Sequence, residues 1–287
     1  MTNLLNKSQK ISNAKKFKEL HRNDRGLFLL PNAWNGGSAK VFAKQNFSAI
    51  GTTSAGIAYS LGYSDGENIQ FSDIIRVTKE IVNVVQNVPL TVDVERGYSG
   101  TESLSEVVDN VGKLIDIGAV GVNIEDGLPD TFSVDNQDRF CEKIAKVAEL
   151  KKQLEIPFVI NARTDIYLLQ VFSHRDELFN RTVERAKALK DCGADCIFIP
   201  GALDKDTIVN LRASIELPIN LFVHPQFYDV KELDKIGINR LSSGSAPVRT
   251  VFNQLKTVSD EFSKLNCNEM LNHPFNYAAA NEYFQNC

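Results

Sequence analysis

Eight short apolar runs, each followed by a stretch of helical periodicity, constrain the fold of this 287-residue chain more than any other feature. They fall at 27–34 (LFLLPNAW), 48–54 (SAIGTTS), the start of 89–100 (PLTVDVERGYSG), 120–126 (VGVNIED), 158–164 (FVINART), 196–201 (CIFIPG), 218–223 (PINLFV) and 239–244 (NRLSSG). Continuous rather than alternating apolar runs are what strands buried on both faces require. Eight βα units in about 250 residues is the size of a (β/α)8 TIM barrel. The competing doubly wound sheet uses the same alphabet, but no run here leads into GxGxxG. The spacing predicts a leading helix within 1–26, a barrel core over 27–250 and C-terminal helices over 251–287, all in one domain. Helices are expected over 38–45 and 71–86, from Thr101, up to about Leu154, over 175–190, 230–235 and 248–265, and in a tail over 269–284. Residues 55–68 are expected to be a loop.

In such a barrel the C-terminal ends of the strands converge on one mouth. Those ends carry Trp34, Ser54, Asp93, Glu95, Glu125, Asp126, Arg163, Asp165, His224 and Ser243, and Asp65 follows the second run. Crowded carboxylates raise one another's pKa values, and an oxygen-rich cage of this kind suits a hard divalent cation, magnesium first. Solvated acidic turns are the plainer alternative, because Asp and Glu are common there. Arg163 offers a planar fork for a carboxylate or phosphoryl group, or an ion pair to a neighbouring strand tip.

Net charge is −4 with pI near 5.7, and no basic stripe interleaved with aromatics is present, which argues against nucleic acid as a partner. No apolar run approaches the roughly 20 residues that span a bilayer, and the first residues lack the apolar centre of a secretory signal. A cytoplasmic protein with no membrane partner is expected. The five cysteines form no paired CxxC set, so they read as reduced thiols, with Cys141 in a buried apolar role. Four histidines without HxxxH spacing give no histidine metal site. No run ends in Lys, which removes a Schiff-base aldolase.

In sequence order, PNAW, TTSAGIAYSLGYSD, VDVERGYSG, VNIEDG, NARTD, GADCIFIPG and RLSSGSA resemble the isocitrate lyase and phosphoenolpyruvate mutase superfamily, from Leu27 to about Thr250. The resemblance implies a (β/α)8 barrel with magnesium, or manganese, in its mouth. It also implies a homotetramer or homodimer whose subunits exchange their eighth helices. The substrate would be a small 2-oxo or phosphono acid reacting through an enolate-like intermediate. Residue by residue it implies Asp65, Asp93, Glu95 and Glu125 around the metal, and Ser54, Ala55 and Gly56 on the oxo-acid end. Arg163 would anchor the substrate, Tyr98 sits in the matching turn, and Trp34 and His224 would line the wall. Catalytic roles then fall to Arg163, Ser54 and Glu125.

Two departures narrow the reaction. Members that cleave isocitrate or methylisocitrate carry a Lys-Lys/Arg-Cys-Gly-His loop, and here that region reads GLPDTFSVDNQDRF. Glu95 stands where many members have Asp. Without the loop thiol, chemistry that needs no strong protein acid is favoured: decarboxylation or carbon–carbon cleavage of an oxaloacetate-type substrate. A phosphonomutase, with Asn136 in its gating loop, is the second reading, and a non-catalytic dicarboxylate-binding barrel the third.

Overall fold

The computed structural model describes residues 5–99, 103–201, 203–225 and 229–285, so the expected helix start at Thr101 lies outside the described residues. Its parallel strands are β1 (Phe28–Leu30), β2 (Asn32–Ala33), β3 (Ile50–Thr52), β4 (Leu90–Asp93), β5 (Gly121–Glu125), β8 (Val159–Arg163), β9 (Cys196–Phe198), β10 (Ile219–Phe222) and β11 (Arg240–Ser242). They join in the order β1-β11-β10-β9-β8-β5-β4-β3-β2. The expected first strand is broken in two by Pro31, which has no N–H to give to a ladder. Its halves pair with β11 and β3, and the Pro31 carbonyl accepts Gly51 N at 2.9 Å. Nine segments therefore make an eight-stranded barrel, the (β/α)8 fold the runs predict. Between β5 and β8, β6 (Gly127–Leu128) and β7 (Ser133–Val134) form a small antiparallel ribbon.

The barrel is wrapped by α1 (Lys7–Leu20), α2 (Gly36–Lys44), α3 (Ser54–Ser60), α4 (Phe71–Val85), α5 (Leu104–Ile117), α6 (Gln137–Leu154), α7 (Arg175–Asp191), α8 (Lys205–Ser214) and α9 (Val230–Ile236). The residues expected as a loop after β3 begin with α3, because Thr53 caps it by accepting Gly56 N at 3.3 Å. Helix α2 starts two residues earlier than expected. Asn35 is its cap, and Ser38 completes a capping box rather than opening the helix. The chain divides into two compact units, 1–244 and 245–287. The second contains α10 (Ala246–Ser263), α11 (Asn268–Leu271) and α12 (Tyr277–Gln285). No helix among the described residues is long and apolar enough to cross a membrane.

Helix α1 closes the N-terminal end of the barrel with Phe17, which is fully buried against Phe28 and His21. Gly121 opens β5 without a side chain because a Cβ there would meet Phe17 Cε1 at 2.7 Å. Beneath lies a polar belt, in which the buried Arg240 donates to Asn123 Oδ1 at 3.2 Å and Asn161 Nδ2 donates to the same oxygen at 2.8 Å. His21 bonds through Nδ1 to the Phe17 carbonyl at 2.8 Å. Burial, with Arg240 nearby, lowers its pKa from 6.5 to about 3. The unfolded chain then binds a proton below pH 6.5 that the folded chain refuses. The stability this histidine contributes is complete above pH 6.5 and drains away as pH falls toward 3. At about 1.36 kcal/mol per pH unit, the fold is expected to lose roughly 2 kcal/mol between pH 6.5 and 5 from this group alone. Urea unfolding of the wild type and His21→Phe across that range measures it. A slope that persists unchanged in the variant refutes the assignment.

Candidate active site

Three neighbouring strands, β4, β5 and β8, carry the acidic tips to one place. Their register sets Asp93 opposite Asn123 and Glu125 opposite Arg163. Beside them Thr53 lies between β3 and α3 as the helix cap, so Ser54 opens a helix whose first residue faces Asp93. The Ser54 backbone N–H donates to Asp93 Oδ2 at 3.2 Å and its hydroxyl to the same oxygen at 3.0 Å. That hydroxyl is also 3.2 Å from Asp65 Oδ1. Two carboxylates from different loops thus converge on one hydroxyl. Gly56 N is spent on the Thr53 cap.

Glu95 is 4% exposed, accepts the Tyr98 hydroxyl at 2.7 Å and accepts Glu67 N at 2.7 Å. Glu67 returns the bond, its Oε1 accepting Arg96 N at 3.1 Å and Tyr98 N at 2.8 Å. The two loops are therefore latched to each other. The latch holds three side-chain-bearing residues at positive φ, Glu67 (58°), Glu95 (47°) and Tyr98 (53°), a conformation that costs energy and clusters at functional sites. Sequence reasoning did not single out Glu67. An acidic residue in a Gly-rich loop gives no sign of which backbone amides it will serve.

Arg163 is gripped on all sides. Its NH1 pairs with Glu125 Oε2 at 2.7 Å, while Nε and NH2 meet the two oxygens of Asp165 at 2.7 and 2.9 Å. The ring of Phe198 lies 5.7 Å from Cζ. Of the two readings left open for this guanidinium, the ion pair is the one it occupies here, with its fork turned to Asp165. Behind it, Asp126 accepts Asp165 N at 2.9 Å and Arg185 NH1 at 2.8 Å. Arg185 comes from α7, where one more charge in a polar helix carried no signal. Trp34 packs on the apolar core. His224, after β10, meets Phe222 edge-on at 6.2 Å, and Phe222 in turn meets Phe198 at 6.4 Å, so an aromatic row runs from His224 toward Arg163.

Gly127 is small because Asp165 fills its side-chain space: a Cβ would lie 2.2 Å from Asp165 Oδ2. Gly127→Ala is expected to push Asp165 off Arg163 and cost about 1–3 kcal/mol, the usual price of overpacking. A thermal melt checks it, and an unchanged midpoint would contradict the packing.

The electrostatics are those of a buried acid cluster that Arg163 compensates only in part. Burial pushes the Glu95 carboxyl up to about 8, with Asp65 adding to the shift. Burial and then Asp93 raise Asp65. Burial raises Glu125 well above its ordinary value against the pull of Arg163, with Asp165, Asp93 and Glu95 adding to the rise. Among the described residues no three His, Cys, Asp or Glu side chains form a ready-made metal cluster. Magnesium does not need one, since it keeps several waters and takes one or two carboxylates. Asp65 and Asp93, already converging on one hydroxyl, fit that requirement, and a dication relieves the repulsion that raises Asp65 and Glu95.

The phosphoenolpyruvate phosphomutase family model matches residues 17–263. The chain belongs to the phosphoenolpyruvate mutase/isocitrate lyase superfamily. Superfamily relatives include a Mycobacterium tuberculosis protein of uncharacterized activity, 34% identical over 232 residues, which cover 80% of this chain and 82% of that one. The oxaloacetate decarboxylase of Pseudomonas fluorescens is 24% identical over 265 residues, 86% of this chain and 87% of the relative. Several 2-methylisocitrate lyases also match. Among solved structures, one from Burkholderia cenocepacia J2315, provisionally described as a lyase/mutase, superposes with a TM-score of 0.86 at 29% identity, covering 96% of this chain and 97% of that one. This superfamily member shares the barrel of lyases and phosphonomutases.

Proposed function

We propose that the chain is a divalent-metal-dependent lyase that cleaves a small 2-oxo acid of the oxaloacetate type through an enolate, decarboxylation being the preferred reaction. The observation that carries the reading is the meeting of Asp65, Asp93 and Ser54 beside an arginine held between Glu125 and Asp165. Asp65, Asp93, Glu95 and Glu125 would hold magnesium or manganese, which would supply a Lewis acid for the 2-oxo group. Arg163 orients the acid end, and the Ala55 amide donates to a substrate oxygen. Ser54 keeps the two carboxylates in register. Glu125, whose carboxyl burial raises well above its ordinary value, is the residue we assign to protonate the enolate carbon once carbon dioxide has left.

Thiol acid–base chemistry has little support. Cys141 lies on α6, and burial pushes its thiol up to about 12. The phosphonomutase reading is weakened because Asn136 spends its side-chain carbonyl on Asp138 N and Arg139 N as the cap of α6. Exposed Val251, Leu255 and Phe262 along α10 leave an apolar row for a second copy of the chain, in keeping with a homo-oligomer.

A substrate panel of oxaloacetate, phosphonopyruvate, phosphoenolpyruvate and methylisocitrate, with and without magnesium, tests the reading by pyruvate release. Magnesium-dependent release from oxaloacetate is expected. Tight oxalate binding with no turnover of any of the four would instead favour the non-catalytic binder.

A further inference from the structure

The two carboxylates that meet at Ser54 ride on backbone of very different firmness. Asp93 ends a barrel strand, and the turn that follows it is fixed from behind by α5. Gly97 N donates to the Val94 carbonyl at 2.7 Å, and Asn110 Nδ2 donates to the carbonyls of Gly97 and Tyr98 at 3.1 Å each. Residue 97 has no room for a side chain, because a Cβ there would lie 2.7 Å from Val107 Cγ2. Asp65, by contrast, sits in a loop whose residues 62–66 are all exposed. Gly62 and Gly66 take φ of 85° and 100° in that loop, and glycine gives a chain many other conformations to visit. What ties this loop to the firm turn is the carboxylate of Glu67. Its Oε1 accepts Arg96 N and Tyr98 N at 3.1 and 2.8 Å, and its Oε2 lies 3.4 Å from Arg96 NH2. The Glu67 N–H closes the ring on Glu95 Oε2 at 2.7 Å.

We propose that Glu67 is a positioning residue for the metal site, its carboxylate hanging the Asp65 loop on the turn after β4 so that Asp65 stands ready against Asp93 before an ion arrives. The inference rests on the metal-dependent reading of the site and adds a residue that acts through Asp65. Asp65 lies two residues before Glu67, and Asp93 two before Glu95. The ring between Glu67 and Glu95 therefore sets the spacing of the two carboxylates. Hydrogen bonds to an ionised acceptor are about twice as strong as neutral ones, which suits a carboxylate to holding three residues at positive φ against their strain.

The test compares the wild type, Glu67→Ala and Glu67→Gln by manganese affinity and by amide deuterium exchange of the metal-free proteins. Glu67→Ala is expected to bind manganese about 10-fold or more weakly, the loss usual when a partner behind a metal ligand is removed. Its Arg96 and Tyr98 amides are expected to exchange faster, while those of β5 and β8 keep the wild-type rate. A glutamine Oε1 can accept the same two amides, so Glu67→Gln is expected to stay close to wild type in both measurements. Unchanged manganese affinity in Glu67→Ala overturns the proposal. So does Glu67→Gln falling as far as Glu67→Ala, which would make the charge and not the latch the cause. Faster exchange spreading through β5 and β8 would reduce the residue to a general structural role, and also overturns it. If the wild type itself binds no manganese, the metal-dependent reading fails and carries this inference with it.

Discussion

Asp93→Asn is expected to lower magnesium-dependent turnover by about 10²- to 10³-fold, the loss that follows when one preorganised electrostatic partner of a developing charge is removed. The substitution isolates charge from shape. Asp93 Oδ2 accepts both the amide and the hydroxyl of Ser54, and an asparagine carbonyl oxygen can accept the same pair. The first turn of α3 therefore keeps its anchor, and circular dichroism and the melting midpoint are expected to stay close to wild type. What disappears is one of two carboxylates that meet at Ser54. Added magnesium is expected to restore part of the activity, because Asp65 still offers one charge. Wild-type turnover in Asp93→Asn would remove this residue from the mechanism.

Arg163→Lys is expected to be nearly as damaging for a different reason. The guanidinium makes three charge-assisted contacts at once, one to Glu125 and two to Asp165. An ammonium is a point charge and cannot reproduce the two-pronged contact. A substrate carboxylate anchored by one hydrogen bond from this guanidinium loses about 1.5–3 kcal/mol when that bond goes, roughly 10- to 100-fold in kcat/KM, carried mainly by KM. Retained positive charge keeps Glu125 and Asp165 from being stranded together, so folding is expected to survive. A kcat collapse at unchanged KM would point to a chemical role for Arg163 in place of substrate anchoring.

The barrel was legible because burial on both faces leaves continuous apolar runs, and those runs stand in the sequence whatever their exact ends. Breaks within them were harder to see. Pro31 divides the first strand because a missing N–H acts only where a ladder partner waits, and that partner is more than 200 residues away in β11. Helix α3 was hidden for the opposite reason: seven mostly small residues are too few to show an amphipathic period, and only the Thr53 cap marks their start. Within the site, residues on strand tips could be proposed together, since the fold itself forces tips to meet. Glu67 and Arg185 act from a loop and a helix, where a charged residue is ordinary and its partner is fixed only by tertiary packing. Arg163 shows a further limit. Its place was evident from the end of its run, yet nothing in the sequence told whether its fork faces Asp165 or a ligand.

Manganese titration followed by electron paramagnetic resonance, on the wild type and Asp93→Asn with oxalate present, tests the central claim most directly. One ion per chain with an oxalate-sensitive spectrum, and binding at least about 10-fold weaker in the variant, a loss of the size produced even by outer-shell changes, is the predicted result. Absence of binding, or identical binding in the two proteins, would contradict a metal-centred site at the tips of these strands.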